Sequence, residues 1–526
     1  MFEWRFRITP GIIPLPFLET AFFAGWGRVP RPTHTTVQDN ELVIRTETYG
    51  SGTVHVPMMH PPLGVVIEST ESLLGRHERY LLLKELVRGA LGRFYRRLFD
   101  WQMLGFQHPE ELEERLNRLA KRFSAVVTQD PFLPHIEREC AAILDELALL
   151  FLDENREVAE QSLSWRTRND ARLPITLGVG MDARYLETPH ECGFYAALLQ
   201  DSLHALLPMP TWRNLEPQPG QFDWERLEKQ LSMPSRFGLQ LILGPLLSFC
   251  AESFPDWLLS HLSEEGYFES RATRFVNAMA ERYGYLTQTW ILANRFGDHA
   301  LPEMPPERSM ALIRMLAQQL RSRGITAPLL VGITQPWGEY ALRRMPEWEL
   351  VQIAETLMGC RDIDAFLLEM DFGAGNYQTL PRSPICVGNM IDQWSYLGKK
   401  LYISFSVPST GFPLVTESLV TGAMVTGTDT TTSELLSEMR WTEERQRLWT
   451  ETLLSTFLSK RTVRGIFWSC LHDSVTVSDS TAECDNGLIN ASHINADSIN
   501  AGRLNAEQTF KPAFKHFTAA RKNLLR

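Results

Sequence analysis

The sequence predicts an α/β protein: a (β/α)8 TIM barrel preceded by a small β-rich segment and a helical segment. From about residue 174 onward, short apolar runs alternate with amphipathic stretches of helix length, which is typical of parallel strands joined by helices. The region before it has a different rhythm, first of short strands and then of long helices. A chain of 526 residues also exceeds one core of ordinary size, so more than one unit is expected.

The barrel prediction depends on eight strand candidates that follow one another along the chain. They are ITLGVGM, HALLPMP, LQLILGPLLSF, QTWILAN, PLLVGIT, AFLLEMDF, KLYISFSV and RGIFWSCL. Such apolar runs suit strands that are buried on both faces. In a barrel of this class, functional side chains lie at the carboxyl ends of the strands.

Two segments are predicted ahead of the barrel, which is expected to occupy residues 173–526. Residues 1–72 contain ELVIRTETYG, TVHVPMM and LGVVIES, which predict a small sheet or sandwich. Residues 73–172 have helical periodicity, and the second of their predicted helices has acidic residues in its first turn, where they favour the helix dipole.

Composition excludes several classes of protein. The net charge of −11 and the pI of about 5.7 argue against nucleic acid or an anionic membrane as a partner. The seven cysteines form no CxxC pair, so neither a disulfide framework nor a zinc site is predicted. No phosphate-cradling glycine motif follows a strand, and no cofactor is expected. The N-terminus lacks the pattern of a secretory leader, which predicts a cytoplasmic location.

Several motifs recur at the predicted strand ends. They are TWRNLEPQPGQFDW at 211–224, FPDWL at 254–258, WILAN at 290–294 followed by Arg295, LYISF at 401–405, and GIFWSCLHDS, DNGLIN and FKPAF within 465–514. In this order they resemble the motifs of the family-10 glycoside hydrolases, the xylanase-type barrels. The resemblance spans about 174–526 and implies a carbohydrate-active, xylanase-like barrel.

The two catalytic positions of that family are changed. A retaining glycosidase needs two carboxyl groups about 5–5.5 Å apart, and the resemblance implies that they come from strands 4 and 7. The matching positions here hold Arg295 and Phe405. An arginine does not donate a proton at neutral pH, and a phenyl ring is not a nucleophile. The prediction is therefore a degenerate glycosidase that binds a saccharide.

The expected saccharide contacts come from six strand-end side chains. They are Trp212, Trp257, Asn294, Arg295, Trp337 and Trp468. The tryptophans either stack on a pyranose face or fill the rim and core of the barrel. Arg295, if it faces the groove, would favour acidic sugars such as uronates.

A second hypothesis is an active hydrolase with relocated carboxylates. Glu339 ends strand 5, while Glu369 and Asp371 end strand 6. Neighbouring strands lie about 4.8 Å apart, so Glu339 and Glu369 would be close enough to act as a catalytic pair. The competing interpretation is a salt bridge between Arg295 and one of these acids. Such a pair lowers the pKa of the acid, which is the wrong direction for a proton donor.

A third hypothesis is a scaffold that binds a protein partner. It predicts a groove plugged by the 370–380 or 485–508 loops and an apolar patch on the helical segment. The four pentads of INASHINADSINAGRLNAEQ, residues 489–508, are expected to form an extended insertion packed on the barrel.

Overall fold

The computed structural model includes every strand of the predicted barrel. It describes residues 2–8, 18, 20–25, 29–38, 40–47, 50–75, 79–129, 133–181, 199–225, 227–228, 231, 238–295, 304–339, 350–373, 379–411, 438–472, 485, 487–489 and 510–525. Of the pentad repeat, this includes only Ile489, which bridges His472 and Phe510; residues 490–508 lie outside the described residues, and so does the expectation for them.

The N-terminal region forms two small sheets. The strands are β1 (Phe2–Arg7), β2 (Phe22–Ala24), β3 (Pro30–Arg31), β4 (His34–Gln38), β5 (Glu41–Thr46), β6 (Ser51–His60), β7 (Gly64–Ser69), β8 (Leu73–Leu74) and β9 (Arg79–Leu81). One sheet has the order β4-β5-β1-β9, and the other has the order β3-β2-β6-β7 with β8 paired to β6. The predicted β-rich segment is confirmed, and its strands continue to Leu81.

Three helices follow, as the sequence predicts: α1 (Leu82–Met103), α2 (Glu110–Val127) and α3 (Pro134–Arg166). Phe94 of α1 stacks on Phe151 of α3 with ring centroids 4.9 Å apart. Helix α3 also contacts the barrel, because Thr456 Oγ1 donates to Asn155 Oδ1 at 3.1 Å. None of the described helices is long and apolar enough to cross a membrane.

The remaining strands form a closed parallel barrel. They are β10 (Thr176–Met181), β11 (Ala205–Pro208), β12 (Gln240–Leu243), the short β13 (Leu247–Ser248), β14 (Thr287–Asn294), β15 (Leu329–Thr334), β16 (Ala365–Asp371), β17 (Lys400–Ser406) and β18 (Val463–Trp468). Strand β18 pairs with β10, and β12 and the short β13 that follows it both pair with β14. All eight strand candidates are confirmed, and so is the (β/α)8 barrel.

Helices cover the outside of the barrel. They are α4 (Trp212–Leu215), α5 (Asp256–Leu259), α6 (Tyr267–Tyr283), α7 (Pro306–Ser322), α8 (Leu350–Met358), α9 (Pro384–Ser395), α10 (Glu443–Ser459) and α11 (Phe514–Leu524). The large core lies between these helices and the strands. A separate, smaller core fills the lumen with residues Ala205, Leu207, Ile242, Ile291, Leu330, Ala365, Leu367 and Phe467.

The lumen core determines which side chains reach the mouth of the barrel. Side chains alternate between the two faces of a strand. On β16, Ala365 and Leu367 belong to the lumen core, so Glu369 and Asp371 continue the same face toward the carboxyl end. On β17, Tyr402 packs against the lumen core, so Ser404 continues that face.

Candidate functional site

A polar pocket lies at the carboxyl ends of the barrel strands, where a site is expected in this fold. The described residues bound a cavity of about 410 Å³, which lies in the range of small-molecule sites. Its polar lining includes Asn294, Arg295, Thr334, Gln335, Glu369, Asp371, Ser404 and Ser469. Strands β14 to β18 therefore supply one continuous polar floor.

Glu369 is held by two hydrogen bonds from neighbouring strand ends. Asn294 Nδ2 donates to its Oε1 at 2.8 Å, and Thr334 Oγ1 donates to its Oε2 at 2.6 Å. Burial raises the pKa of Glu369, and the two hydrogen bonds and the charge of Arg295 offset only part of that rise. A carboxyl group with these features retains its proton at a higher pH than a solvated one.

Asp371, two residues further along β16, has a similar environment. Ser406 Oγ donates to Asp371 Oδ1 at 2.7 Å, and Ser469 Oγ donates to the same oxygen. Burial raises the pKa of Asp371 as well, against opposing contributions from both serines and Arg295. Two carboxyl groups with raised pKa values thus lie on one face of one strand, which is a common feature of functional sites.

Two residues of the pocket have a left-handed backbone. Arg295 follows β14 with φ of 57°, and Gln335 follows β15 with φ of 47°. For residues other than Gly and Asn or Asp this conformation costs about 1–2 kcal/mol, and such strain concentrates at ligand sites. Arg295 Nη1 lies 3.6 Å from Cys250 Sγ, on the side of the pocket formed after β13.

Asn294 is one of the buried polar residues at this site. It is 8% exposed, and its Oδ1 has no hydrogen-bond partner among the described residues. Gly332 on β15 makes room for it, because a Cβ added there would lie 2.6 Å from Asn294 Cβ and 3.3 Å from Glu369 Cδ. The pocket lining therefore includes an amide whose carbonyl oxygen is buried and has no partner among the described residues.

Phe405 does not face this pocket, which corrects the motif comparison. Its side chain is fully buried, and its ring packs on Phe457 of α10, Phe517 of α11 and Trp468. The residue of β17 that lines the pocket is Ser404. The alternation of side chains in KLYISFSV places Ser404 and Phe405 on opposite faces of the strand, whereas the motif match pointed to Phe405.

Most of the predicted aromatic contacts belong to the core. Trp212 is 1% exposed, stacks on Phe275 at 4.5 Å and touches the pocket only at its edge. Trp468 is fully buried between Phe405 and Phe517. Trp257 is half-buried and donates from Nε1 to the backbone oxygen of Glu216 at 3.0 Å. Trp212 and Trp468 therefore offer no open ring face to a sugar.

Trp337 and Glu339 lie together in a different place. Arg382 lies over the Trp337 ring at 4.3 Å and donates to Glu339 Oε1 at 2.8 Å. Trp337 lines a cavity of about 320 Å³ between the N-terminal sheet and the barrel. The salt bridge that Glu339 makes is thus to Arg382, and the structure does not bring its carboxylate to the lining of the polar pocket beside Glu369.

The sequence does not predict the hydroxyl groups that surround the two carboxyl groups. Thr334, Ser404, Ser406 and Ser469 were not predicted as site residues, although each lies at the end of a predicted strand. One sequence pattern could have indicated them. Each is a polar residue near the end of an apolar strand, at a position that alternation places on the lumen face.

Similarity to known proteins is found among solved structures. Neither a family model nor a curated protein matches the chain. The barrel is similar to a GH10 xylanase of Thermobacillus composti, at 16% identity and a TM-score of 0.44, over 68% of this chain and 98% of that one. It is also similar to xylanase 10B of Thermotoga petrophila, solved with xylobiose, at 11% identity and a TM-score of 0.46, over 70% and 96% of the two chains.

The chain is similar to family-10 xylanases. A third example is xylanase 10B of Thermotoga maritima, at 11% identity and a TM-score of 0.45, over 70% of this chain and 97% of that one. At these TM-scores the likeness adds no weight to a functional argument. The barrel assignment rests on the closed order of its own strands.

Proposed function

We propose that the pocket at the barrel mouth binds a saccharide and that the chain does not use the two-glutamate chemistry of a retaining glycosidase. The observation that carries the proposal is the polar floor, in which Glu369 is fixed by Asn294 and Thr334. Fixed carboxyl, amide and hydroxyl groups suit a ligand covered with hydroxyls, because each is oriented before the ligand arrives.

Recognition in this proposal depends on hydrogen bonds rather than on ring stacking. The rings of Trp212 and Trp468 are buried in the layer between strands and helices. The polar groups of Asn294, Glu369 and Ser404 instead line the cavity. A sugar ring bound here would therefore be held mainly by its hydroxyl groups.

The proposed loss of retaining chemistry is supported by the residues at the two expected positions. Strand β14 is followed by Arg295, a permanent cation, and the pocket-lining residue of β17 is Ser404. A retaining pair needs one carboxyl group on each side of the anomeric carbon. Glu369 and Asp371 both come from β16, so they approach a ligand from the same side.

The relocated pair of Glu339 and Glu369 has less support. Glu339 accepts hydrogen bonds from Arg382 and Thr379, and Arg382 lines the other cavity. If that pair did catalyse hydrolysis, Glu339→Gln and Glu369→Gln would each abolish cleavage of any substrate found. Cleavage that survives Glu339→Gln would exclude it.

A second candidate function, a protein-interaction scaffold, is favoured by one observation. Helix α1 exposes Tyr95, Phe99 and Met103 in one stripe, with Phe99 62% and Met103 73% exposed. Residues four apart share a helix face, and contiguous exposed apolar side chains mark interaction surfaces. Self-association of the wild type that is lost in Phe99→Asp would favour this role, and a wild type that is monomeric at every concentration would weaken it.

The test of the main proposal is a calorimetric titration with neutral and charged β-linked oligosaccharides, run beside an assay for new reducing ends. We expect binding without cleavage, and binding weakened by Glu369→Gln. Glu252→Gln is the matched control, because Glu252 is exposed near the same rim and does not line the pocket. Equal loss in both variants, or absence of binding by the wild type, would contradict the proposal.

A further inference from the structure

Four donor groups around Glu369 and Asp371 point into the protein rather than into the cavity. Asn294 Nδ2 and Thr334 Oγ1 donate to Glu369. Ser406 Oγ and Ser469 Oγ donate to Asp371. These protons are already engaged, so this side of the pocket has mainly acceptor capacity left for a ligand.

The serine pair extends this pattern toward the cavity. Ser404 Oγ lies 3.1 Å from Ser469 Oγ, and either hydroxyl has only one proton to donate. Because Ser469 already donates to Asp371, Ser404 is the donor in the contact between the two serines. The lone pairs of Ser404 then remain as acceptors on the pocket side.

Asn294 supplies an independent sign that a ligand donor belongs here. Its Oδ1 is buried and has no partner among the described residues. Leaving such an acceptor without a hydrogen bond costs about 1–3 kcal/mol. A ligand with an N–H or O–H group directed at Oδ1 removes that cost.

The charge in the pocket favours a cationic donor over an anionic ligand. Arg295 interacts electrostatically with both Glu369 and Asp371, so among the described lining residues two acidic groups stand against one positive charge. A uronate carboxylate would add a third acidic group beside oxygens that accept hydrogen bonds. The expectation that Arg295 selects acidic sugars therefore does not follow from this arrangement.

Building on the proposed saccharide-binding function, we propose that the preferred ligand carries an ammonium group, as a free amino sugar does. Its N–H donors would face Asn294 Oδ1 and the carboxylates of Glu369 and Asp371. The hydroxyl groups of the same sugar would donate to Ser404. The parent neutral sugar fits the same acceptors with weaker bonds, and the uronic acid is disfavoured.

This ligand leaves a thermodynamic signature that a neutral sugar does not. Burial raises the pKa of both carboxyl groups in the free pocket. A bound ammonium favours their charged forms and lowers those pKa values, so binding releases protons. Affinity then rises with pH across the window above the ordinary carboxyl pKa, and falls again once the amine itself loses its proton.

The experiment compares four probes on the full chain: D-glucosamine, D-glucose, N-acetyl-D-glucosamine and D-glucuronate. Calorimetry at one pH in two buffers of different ionisation enthalpy measures both affinity and protons released. We expect D-glucosamine to bind about tenfold more tightly than D-glucose, as one charge-assisted hydrogen bond provides, with net proton release. D-Glucuronate and N-acetyl-D-glucosamine, which lack the ammonium, should bind no more tightly than D-glucose.

Two variants test whether the acidic groups cause the preference for D-glucosamine over D-glucose. Glu369→Gln should reduce the ratio between D-glucosamine and D-glucose, and Asp371→Asn is the alternative if the first variant does not fold. Glu252→Gln is expected to leave the ratio unchanged. Tightest binding of D-glucuronate, or equal binding of all four probes, would overturn the amino-sugar inference while leaving saccharide binding intact. Absence of binding by every probe and every oligosaccharide would overturn both.

Discussion

Asn294 at the end of β14 donates from Nδ2 to Glu369 Oε1 on β16 at 2.8 Å. This bond spans the position of β15, and it is possible because Gly332 on that strand has no side chain. Three barrel strands thus cooperate to fix one carboxyl group at the base of the pocket.

The first prediction concerns Asn294→Ala. The variant removes a hydrogen bond that favours the charged form of Glu369, so the pKa of Glu369 should rise further above its ordinary range. It also removes the acceptor offered to a ligand, and saccharide affinity should fall about tenfold. NMR titration of the carboxyl carbon and calorimetry measure the two effects. Unchanged affinity would show that the ligand does not contact this amide.

The second prediction concerns Gly332→Ala. A Cβ at Gly332 would lie 2.6 Å from Asn294 Cβ, so Asn294 must move away from Glu369. We expect a loss of about 1–3 kcal/mol in the free energy of unfolding, together with weaker ligand binding. Gly359→Ala is the control, since an added Cβ there meets no atom within 4 Å. An equal free energy of unfolding for the two variants in denaturant titrations would contradict the prediction.

The third prediction tests the direction of Phe405. Phe405→Glu places a charge among Phe457, Phe517 and Trp468 and should cost about 3–5 kcal/mol or more. Ser404→Glu extends into a polar cavity and should cost much less. Urea unfolding of both variants measures the difference. Comparable stability of the two would mean that Phe405 reaches the pocket after all.

The fourth prediction concerns a buried pair in the helical segment. Glu154 Oε1 lies 2.6 Å from His108 Nδ1, and burial, with smaller contributions from Glu157 and Glu113, raises the pKa of Glu154 to about 8. Burial lowers the pKa of His108. These shifts favour a protonated Glu154 and a neutral His108 imidazole, so both groups stay uncharged inside the helices.

The sign of its pH dependence follows from linkage. Between pH 4.5 and about 8 the unfolded state loses the Glu154 proton and the folded state keeps it, so stability from this group falls as pH rises through that window. The glutamine in Glu154→Gln does not titrate. The free energy of unfolding of this variant, relative to that of the wild type, should therefore increase by about 1–3 kcal/mol between pH 4.5 and about 8. Chemical denaturation at both pH values measures this; a constant difference would contradict it.

The sequence predicted the barrel because strand periodicity and apolar content survive in every unit. Each of the eight apolar runs, from ITLGVGM to RGIFWSCL, became a barrel strand. Glu369, Arg295 and Asn294 were found for the same reason: each lies where one of these runs ends. A single sequence therefore predicts well which residues lie at the end of a strand.

What the sequence did not provide is the direction of side chains and their partners. Phe405 was placed at a catalytic position because it matched a motif, whereas the rings of α10 and α11 draw it outward. Glu339 was paired in prediction with Glu369, but the structure joins it to Arg382, which is distant in sequence. Such partners depend on how the loops after the strands are arranged, and a local pattern does not contain that information.

The central claim is that the polar floor of the barrel holds a saccharide. The most direct measurement is a crystal structure of the chain soaked with D-glucosamine, supported by the same soak of Asn294→Ala. We predict a sugar in the cavity with a donor within hydrogen-bond distance of Asn294 Oδ1 and a second donor near Glu369, and an empty cavity in the variant. A sugar bound only against Trp337, Trp257 or the helical segment, with the floor unoccupied, would contradict the claim.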